Sequence, residues 1–235
     1  MIRVSLLGQF RLSLPGTSDV ALSRGAQRVL ALLALRKRTL KRSVVAGTLW
    51  PDASQECANT SLRAALCRLH NAGRGAVRIS AADLGLAADA AVDVDETAAL
   101  ARRLLNPAHE PCESELGSEA IRALGAELLP DWYEEWVLPE AESWRQLRLR
   151  TLESLADRLV SAGRFGDATT AALAAVAAEP LRETSRAALI RVHLAEGNQS
   201  EAVREYRGYQ ALLRAELGLA PTARLRELVQ TLGVS

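Results

Sequence analysis

The sequence predicts a mainly α fold with a small β part, in which a winged helix-turn-helix domain precedes an all-α, tetratricopeptide-like helical domain. Three observations predict this fold class: three helix-forming segments followed by a hairpin pattern, a charge that differs in sign between the halves, and a helical repeat in the second half of the 235 residues. The predicted domains cover residues 1–95 and 96–235.

The first half begins with a strand pattern at residues 2–7 and continues with three helix-forming segments. Residues 25–36 carry apolar side chains at helical spacing, so they form the first predicted helix. Residues 43–50 form the second helix, which ends before Pro51 because proline has no backbone N–H to donate. The third helix is predicted over residues 56–72.

A helical wheel divides the third predicted helix into two faces. The apolar face carries Ala58, Leu62, Ala65, Leu66 and Leu69. The opposite face carries Thr60, Ala64, Cys67 and Asn71, flanked by Arg63 and Arg68. No acidic residue occurs between Asn59 and Arg78, so this face would not repel the phosphates of a nucleic acid. Strand patterns at residues 76–79 and 84–86 predict a hairpin, which would be the wing.

Charge is distributed unevenly along the chain. Residues 1–90 contain 13 Lys and Arg against 5 Asp and Glu, a net charge of +8, and the remainder contains 16 against 23, a net charge of −7. A basic first half is suited to nucleic acid, whereas an acidic second half is better suited to a protein partner. Single basic runs, such as residues 36–38 and 41–42, have a simpler explanation as solvated helix ends.

A repeat occupies the second half. Residues 162–168 recur as residues 196–202, an offset of 34 residues that is typical of tetratricopeptide units. The first glycine of each copy marks the turn between two helices, because the left-handed conformation costs glycine little. Further helices are predicted over residues 144–159 and 222–232. Stacked helices of this kind leave a surface for a partner, although two copies are also compatible with a generic helical bundle.

The region between the halves contains two distinct segments. Residues 106–118 include Pro107, Pro111 and three glutamates and little that could pack, so they predict a linker or long loop. Residues 128–137 hold three aromatic side chains within five positions. Such a cluster can mark an interaction hot spot, but tryptophans beside leucines more often pack in a core, which we favour here.

Four segments, in this order, carry a family resemblance: Leu49–Ala53, Ser61–Leu69, Leu128–Val137 and Leu217–Pro221. Together they resemble the Streptomyces antibiotic regulatory protein (SARP) family over nearly the whole chain. The resemblance implies an OmpR-type winged helix followed by a bacterial transcriptional activation domain of tetratricopeptide-like helices. It also implies an activator that binds direct repeats in double-stranded promoter DNA as a homodimer or side-by-side pair. RNA polymerase, including its principal sigma factor, would be its partner, and an antibiotic or secondary-metabolite gene cluster its target.

The residue types then suggest individual roles on DNA. Candidates for base readout lie on the polar face of the third helix, where arginine can pair with guanine and asparagine with adenine. They are Thr60, Arg63, Arg68 and Asn71. Candidates for phosphate contacts lie around that helix and position the protein without reading sequence. They are Arg24, Arg28, Lys41, Arg42, Arg74 and Arg78.

Three positions depart from the expected pattern. Lys41 stands where relatives commonly place a Ser or Thr cap before the second helix, and Gly47 lies inside that helix at a cost of up to ~1 kcal/mol relative to alanine. Ala64 and Cys67 offer only apolar contacts at the centre of the presumed groove face. Base readout would therefore depend on few residues.

Other classes of function are less well supported. A tetratricopeptide adaptor without DNA binding would not need the retained arginines. An enzyme would need converging catalytic groups, but His70, His109 and His193 lie in separate segments without a recognised catalytic motif. The adjacent carboxylates Glu134 and Glu135 are best explained as solvated surface residues. We expect no cofactor and no metal, no membrane association, and a reducing cytoplasm for the three cysteines.

Overall fold

A computed structural model describes residues 1–16, 19–73 and 75–230, without the side chains of residues 70–72. Two compact units form. The first contains Met1–Glu96 and Glu127–Trp144, and the second contains Thr97–Ala126 and the chain from Arg145 onward. The segment Glu127–Trp144, which the sequence analysis assigned to the second domain, therefore packs with the first unit. The functional domain boundary at residues 95 and 96 stays a prediction.

The described part of the first unit contains three complete helices and two small three-stranded sheets, in the order expected of a winged helix. Its elements are β1 (Ile2–Ser5), β2 (Arg11–Ser13), α1 (Arg24–Arg36), β3 (Leu40–Lys41), α2 (Arg42–Leu49), α3 (Gln55–Gly73), β4 (Val77–Ile79), β5 (Asp83–Leu86) and β6 (Ala90–Val92). One sheet has the order β2-β1-β6, with β1 and β6 parallel, and the other has the order β3-β5-β4 with antiparallel pairs. The three predicted helices and the hairpin are confirmed.

Helix α1 forms the centre of this unit. Eight of its residues are buried, including the continuous run from Val29 to Leu35, because neighbouring elements cover it on several sides. Helix α3 packs against the start of α1, where a Cβ placed at Gly25 would lie 3.5 Å from the Cβ of Ala65, an ordinary packing distance. The predicted apolar face of α3, Ala58, Leu62, Ala65, Leu66 and Leu69, is buried as expected.

The aromatic segment, residues 127–137, is joined to the N-terminal part of the first unit by backbone hydrogen bonds. The amide of Gly8 donates to the carbonyl of Glu127 at 2.6 Å, and the amide of Leu129 donates to Leu6 at 2.9 Å. Trp132 and Trp136 are buried, so core packing is confirmed for these two side chains. It is wrong for Tyr133, whose side chain is 81% exposed.

Asp93 joins the first strand to the helix that follows β6. This helix, α4 (Asp93–Leu105), begins at Asp93, whose carboxylate accepts hydrogen bonds from the amides of Leu6 at 2.8 Å and Leu7 at 3.1 Å. Burial raises the pKa of Asp93, and these amide bonds oppose that rise. The carboxylate thus satisfies backbone donors at the end of β1 that would otherwise be unpaired.

The second unit is built from helices. After α4, the chain forms a short 3-10 helix (Glu113–Leu116), α5 (Ser118–Gly125), α6 (Leu138–Ser161), α7 (Phe165–Ala178), α8 (Glu183–Glu196), α9 (Gln199–Leu217) and α10 (Ala223–Gln230). All of these belong to the second unit except the start of α6, up to Trp144, which belongs to the first. Gly163 and Gly197 adopt φ of 71° and 88° at the two repeat turns, as predicted. The equivalent alanines, Ala168 and Ala202, are fully buried, so the helices approach closely at both.

The predicted linker between residues 106 and 118 is packed at its end. Glu115 and Leu116 are buried, so the expectation that little here could pack is wrong. Glu115 accepts a hydrogen bond from Arg103 at 2.7 Å and lies 2.8 Å from the Nε2 atom of His109. These two bonds, that of His109 first, lower the pKa of Glu115 to about 2. Sequence reasoning missed this network because its members are spread over twelve positions.

Candidate nucleic-acid interface

The solvent-facing side of α3 carries the side chains predicted to read bases. Thr60, Arg63 and Arg68 are exposed. Ala64 and Cys67 are exposed between them, so the centre of the face is small and apolar as expected. The side chain of Asn71 lies outside the described residues. Three of the four predicted base readers therefore share one accessible helix face.

The position of α3 is fixed from its start. The Ser54 hydroxyl accepts a hydrogen bond from the amide of Cys57 at 3.3 Å, which satisfies one of the donors left free at a helix N-terminus. Glu56, the last acidic residue of α3, lies in the first turn, where its negative charge interacts favourably with the positive end of the helix dipole. Beyond it the exposed charges of the helix are arginines, so an anionic surface can approach without repulsion.

The hairpin after α3 presents a further arginine. Strands β4 and β5 pair so that Arg78 lies opposite Gly85, and the Arg78 Nη2 atom donates to the Thr39 hydroxyl at 3.1 Å. The hydroxyl of Ser80 accepts from the amide of Asp83 at 2.9 Å and holds the turn. The Arg78 side chain is therefore exposed to solvent, and its hydrogen bond to Thr39 fixes its orientation. Arg74, the other wing candidate, lies outside the described residues.

Lys41 and Arg42 lie where β3 passes directly into α2. Lys41 is exposed and Arg42 is half-buried, and neither has an acidic partner within the described parts of the chain. Lys41 occupies the cap position of α2 and makes no side-chain cap, which confirms that the usual cap is missing. The amide of Arg42 instead donates to the carbonyl of Ala82 at 2.9 Å. Their charges are available to a ligand.

Arg24 and Arg28 have partners inside the first unit. The Arg28 Nη2 atom donates to the carbonyl of Leu49 at 2.6 Å, and its Nε atom lies 3.3 Å from the Glu134 carboxylate. Arg24 binds the same carboxylate at 3.2 Å and lies 3.9 Å from the centre of the Trp132 ring. These partners favour a structural role for both arginines, and their predicted phosphate contacts stay untested predictions.

Glu134 is the residue that sequence reasoning missed. It was interpreted as a solvated surface residue together with Glu135, but its side chain is only 21% exposed, so that interpretation is wrong for Glu134. Glu135 is exposed as expected. A signal was present, because α1 begins with two arginines one helical turn apart and no acidic residue lies between Asp19 and Asp52.

The described residues contain no cluster of three or more His, Cys, Asp or Glu side chains suited to a metal ion. Among the same residues, no helix combines the length and the apolar character that crossing a membrane requires.

A unit of three helices and a hairpin that exposes arginines on its third helix, joined to a helical-repeat unit, is the architecture of a transcriptional regulator. A family model described as the bacterial transcriptional activator domain matches residues 88–232. The chain belongs to this family. The sequence resemblance to SARP-type regulators is thereby confirmed.

Similar proteins agree with this assignment. Regulatory protein AfsR of Streptomyces griseus is 29% identical over 248 residues, and that of Streptomyces coelicolor is 29% identical over 240 residues. Each match covers 97% of this chain but only 24% of the relative's length. Among solved structures, Mycobacterium tuberculosis EmbR, in complex with a low-affinity phosphopeptide, has a TM-score of 0.73 at 21% identity. That match covers 97% of this chain and 64% of that chain, and it shows that the predicted fold class is correct.

Proposed function

We propose that this protein is a SARP-type activator that binds direct repeats in double-stranded promoter DNA and recruits RNA polymerase. The observation that carries the proposal is the exposed face of α3, which carries Thr60, Arg63 and Arg68 and has no acidic residue after Glu56 in the first turn. Long cationic side chains on one helix face are suited to the major groove, whose width admits an α-helix. Because the protein acts on DNA, we place it in the cytoplasm.

Base readout depends on the two arginines. A guanidinium can donate two parallel hydrogen bonds to the O6 and N7 atoms of guanine, and a good pair of this kind discriminates by ~1–3 kcal/mol. Thr60 contributes a hydroxyl, and the exposed Ala64 and Cys67 can contact thymine methyl groups. Asn71, whose side chain lies outside the described residues, stays a predicted partner of adenine. With so few polar readers, specificity depends strongly on two copies bound side by side.

Phosphate contacts come from the cations that surround α3. Lys41, Arg42 and Arg78 are free of acidic partners within the described residues, and Arg74, which lies outside them, stays a predicted fourth contact. These residues orient the protein on the duplex but read no sequence. We assign Arg24 and Arg28 to the structure of the first unit instead, because Glu134 already binds both.

Activation is assigned to the helical unit. This assignment is supported by the family model, which matches residues 88–232. Charge does not support it, because nine of the acidic residues beyond residue 90 lie at 91–96 and 127–144 in the first unit, and the helical unit has 16 Lys and Arg against 14 Asp and Glu. We propose that this part contacts RNA polymerase, including its principal sigma factor. The regulated genes would be an antibiotic or secondary-metabolite cluster, in line with the family. The proposal involves no catalytic step, cofactor or metal.

Two substitutions separate base readout from phosphate binding. Arg63→Ala should weaken binding to a selected site by ~1–3 kcal/mol and leave binding to random DNA nearly unchanged. Lys41→Ala should weaken both equally and reduce the slope of log affinity against log salt by about 1. Fluorescence anisotropy at several salt concentrations measures both quantities.

Arg207→Ala is the matched control for these variants. It removes one exposed arginine from α9 in the second unit and should change neither affinity nor slope. Equal losses on selected and random DNA for Arg63→Ala would refute the assignment of Arg63 as a base reader. Unchanged binding in both Arg63→Ala and Lys41→Ala would refute α3 and its surroundings as the DNA interface.

A further inference from the structure

A cavity of about 570 Å³ opens in the second unit where α6, α8 and α10 meet. Each of the three helices contributes one arginine to its lining: Arg150 from α6, Arg191 from α8 and Arg224 from α10. The volume is within the range of ~300–1,000 Å³ that is typical of small-molecule sites. The proposed DNA-binding role uses none of these residues.

The carboxylates that line the cavity already accept hydrogen bonds from other groups of the protein. Glu153 accepts hydrogen bonds from Arg182, Thr184 and Ser185, each at 2.8 Å. Asp157 binds Arg191 with both oxygens, at 3.0 and 2.9 Å.

Glu183, the third carboxylate of the lining, accepts from the amide of Thr222 at 3.0 Å and also from its hydroxyl. All three carboxylates therefore have donors within the protein. None of them requires a cation from outside.

Two of the three arginines, in contrast, have no acceptor in the part of the chain that the structure describes. Arg150 and Arg224 are exposed and find no carboxylate or carbonyl partner within the described residues. Arg191 binds Asp157, so its charge is already paired within the protein. The cavity thus contains two guanidinium groups whose donors are available to a ligand, beside carboxylates that each already accept hydrogen bonds from the protein. This imbalance favours an anion.

The lining also has an apolar part, beside the hydroxyl side chains of Ser154 and Thr184. Leu225 is 1% exposed and belongs to the core of the second unit, while Leu228 and Ala187 are half-buried against that core. A small inorganic anion would leave this part of the cavity without contact. A ligand that fits the whole cavity combines an anionic group with an apolar body, whose burial contributes ~25 cal/mol per Å² of apolar area.

We propose that this cavity binds an organic carboxylate with an apolar body, held by Arg150 and Arg224 at its carboxylate and by Leu228 and Ala187 along its body. Carboxylate oxygens match the planar donor fork of arginine, and such charge-assisted bonds are among the stronger hydrogen bonds in proteins. A free organic acid and the C-terminal carboxylate of a peptide share this chemistry.

Isothermal titration calorimetry with the whole chain tests the proposal. The probes are 4-phenylbutyrate, its neutral amide 4-phenylbutyramide, and acetate. We expect 4-phenylbutyrate to bind and both other compounds to bind at least about tenfold more weakly, because one lacks the charge and the other lacks the apolar body. A leucine-ended peptide with a free or an amidated C-terminus shows whether a peptide carboxylate is preferred over the free acid.

Substitutions locate the site. Arg150→Gln and Arg224→Gln should each weaken binding of the preferred carboxylate by about tenfold or more, whereas Arg207→Gln on α9 should leave it unchanged. All three arginines are exposed, so the fold should persist, and circular dichroism checks this. Binding that is equal for acid and amide, unchanged in both cavity variants, or absent for every carboxylate probe at millimolar concentration would overturn the proposal.

Discussion

Arg28 offers the clearest test of how the first unit is held together. Its side chain links three parts of that unit: α1, which carries it, the end of α2 at Leu49, and the aromatic segment at Glu134. The Leu49 carbonyl is one of the C-terminal carbonyls that α2 itself leaves unpaired. Arg28→Ala removes this link and leaves the carbonyl of a buried residue without its donor.

The size of the effect follows from the two contacts. A hydrogen bond from a charged donor contributes ~1.5–3 kcal/mol. The ion pair with Glu134 joins side chains that are 20% and 21% exposed, so we add ~0.5–1 kcal/mol for it. Arg28→Ala should therefore lower the free energy of unfolding of the first unit by about 2–4 kcal/mol. Arg24→Ala, whose side chain is 51% exposed, should cost only about 1 kcal/mol.

Urea denaturation followed by tryptophan fluorescence measures this directly, because Trp50, Trp132, Trp136 and Trp144 all lie in the first unit. A double-mutant cycle with Glu134→Gln isolates the ion pair. DNA binding of Arg28→Ala should keep the wild-type salt slope. A loss of stability below about 0.5 kcal/mol, together with a salt slope reduced by about 0.9, would show that Arg28 contacts phosphate and would refute this account.

Three further predictions concern the backbone and the buried acids. Gly47→Ala should stabilise the protein by up to ~1 kcal/mol, because a Cβ at this helical position meets nothing within 4 Å, whereas Gly197→Ala, at φ of 88°, should destabilise it by ~1–2 kcal/mol; urea titration measures both. Asp93→Ala should cost ~1–3 kcal/mol by the same assay, because two amides at the end of β1 lose their acceptor. The pKa of Glu115 falls from 4.5 to about 2 on folding, so its contribution to stability is complete above pH 4.5 and is lost as the pH falls toward 2. Glu115→Gln should flatten acid unfolding, followed by circular dichroism, in that interval, and an unchanged acid profile would count against its bonds to Arg103 and His109.

The helices of the first unit could be predicted because their apolar residues recur at helical spacing. Ala58, Leu62 and Leu69 lie one or two turns apart, and a single buried face accounts for all of them. The repeat turns could be predicted equally well, because Gly163 and Gly197 lie at the same position of a 34-residue period. Both adopt positive φ in the structure. In these cases local spacing determines the structure.

The network around Glu134 could not be predicted in the same way. The ion pair of Glu134 with Arg24 joins residues 110 positions apart, and nothing in the local pattern of either segment specifies the other. The same reason explains Tyr133, since burial of Trp132 and Trp136 depends on the packing of the aromatic segment and not on the aromatic density of the sequence. Contacts between distant segments decide which members of a motif are buried.

Selection of bound fragments from a random DNA library tests whether the exposed face of α3 reads DNA sequence. We expect an enriched motif that occurs as a direct repeat, with half-sites about 10.5 bp or a multiple of this apart, and loss of that enrichment in a protein carrying both Arg63→Ala and Arg68→Ala. A pool that stays random after repeated rounds, although the protein retains DNA in a salt-dependent way, would contradict sequence readout by this helix.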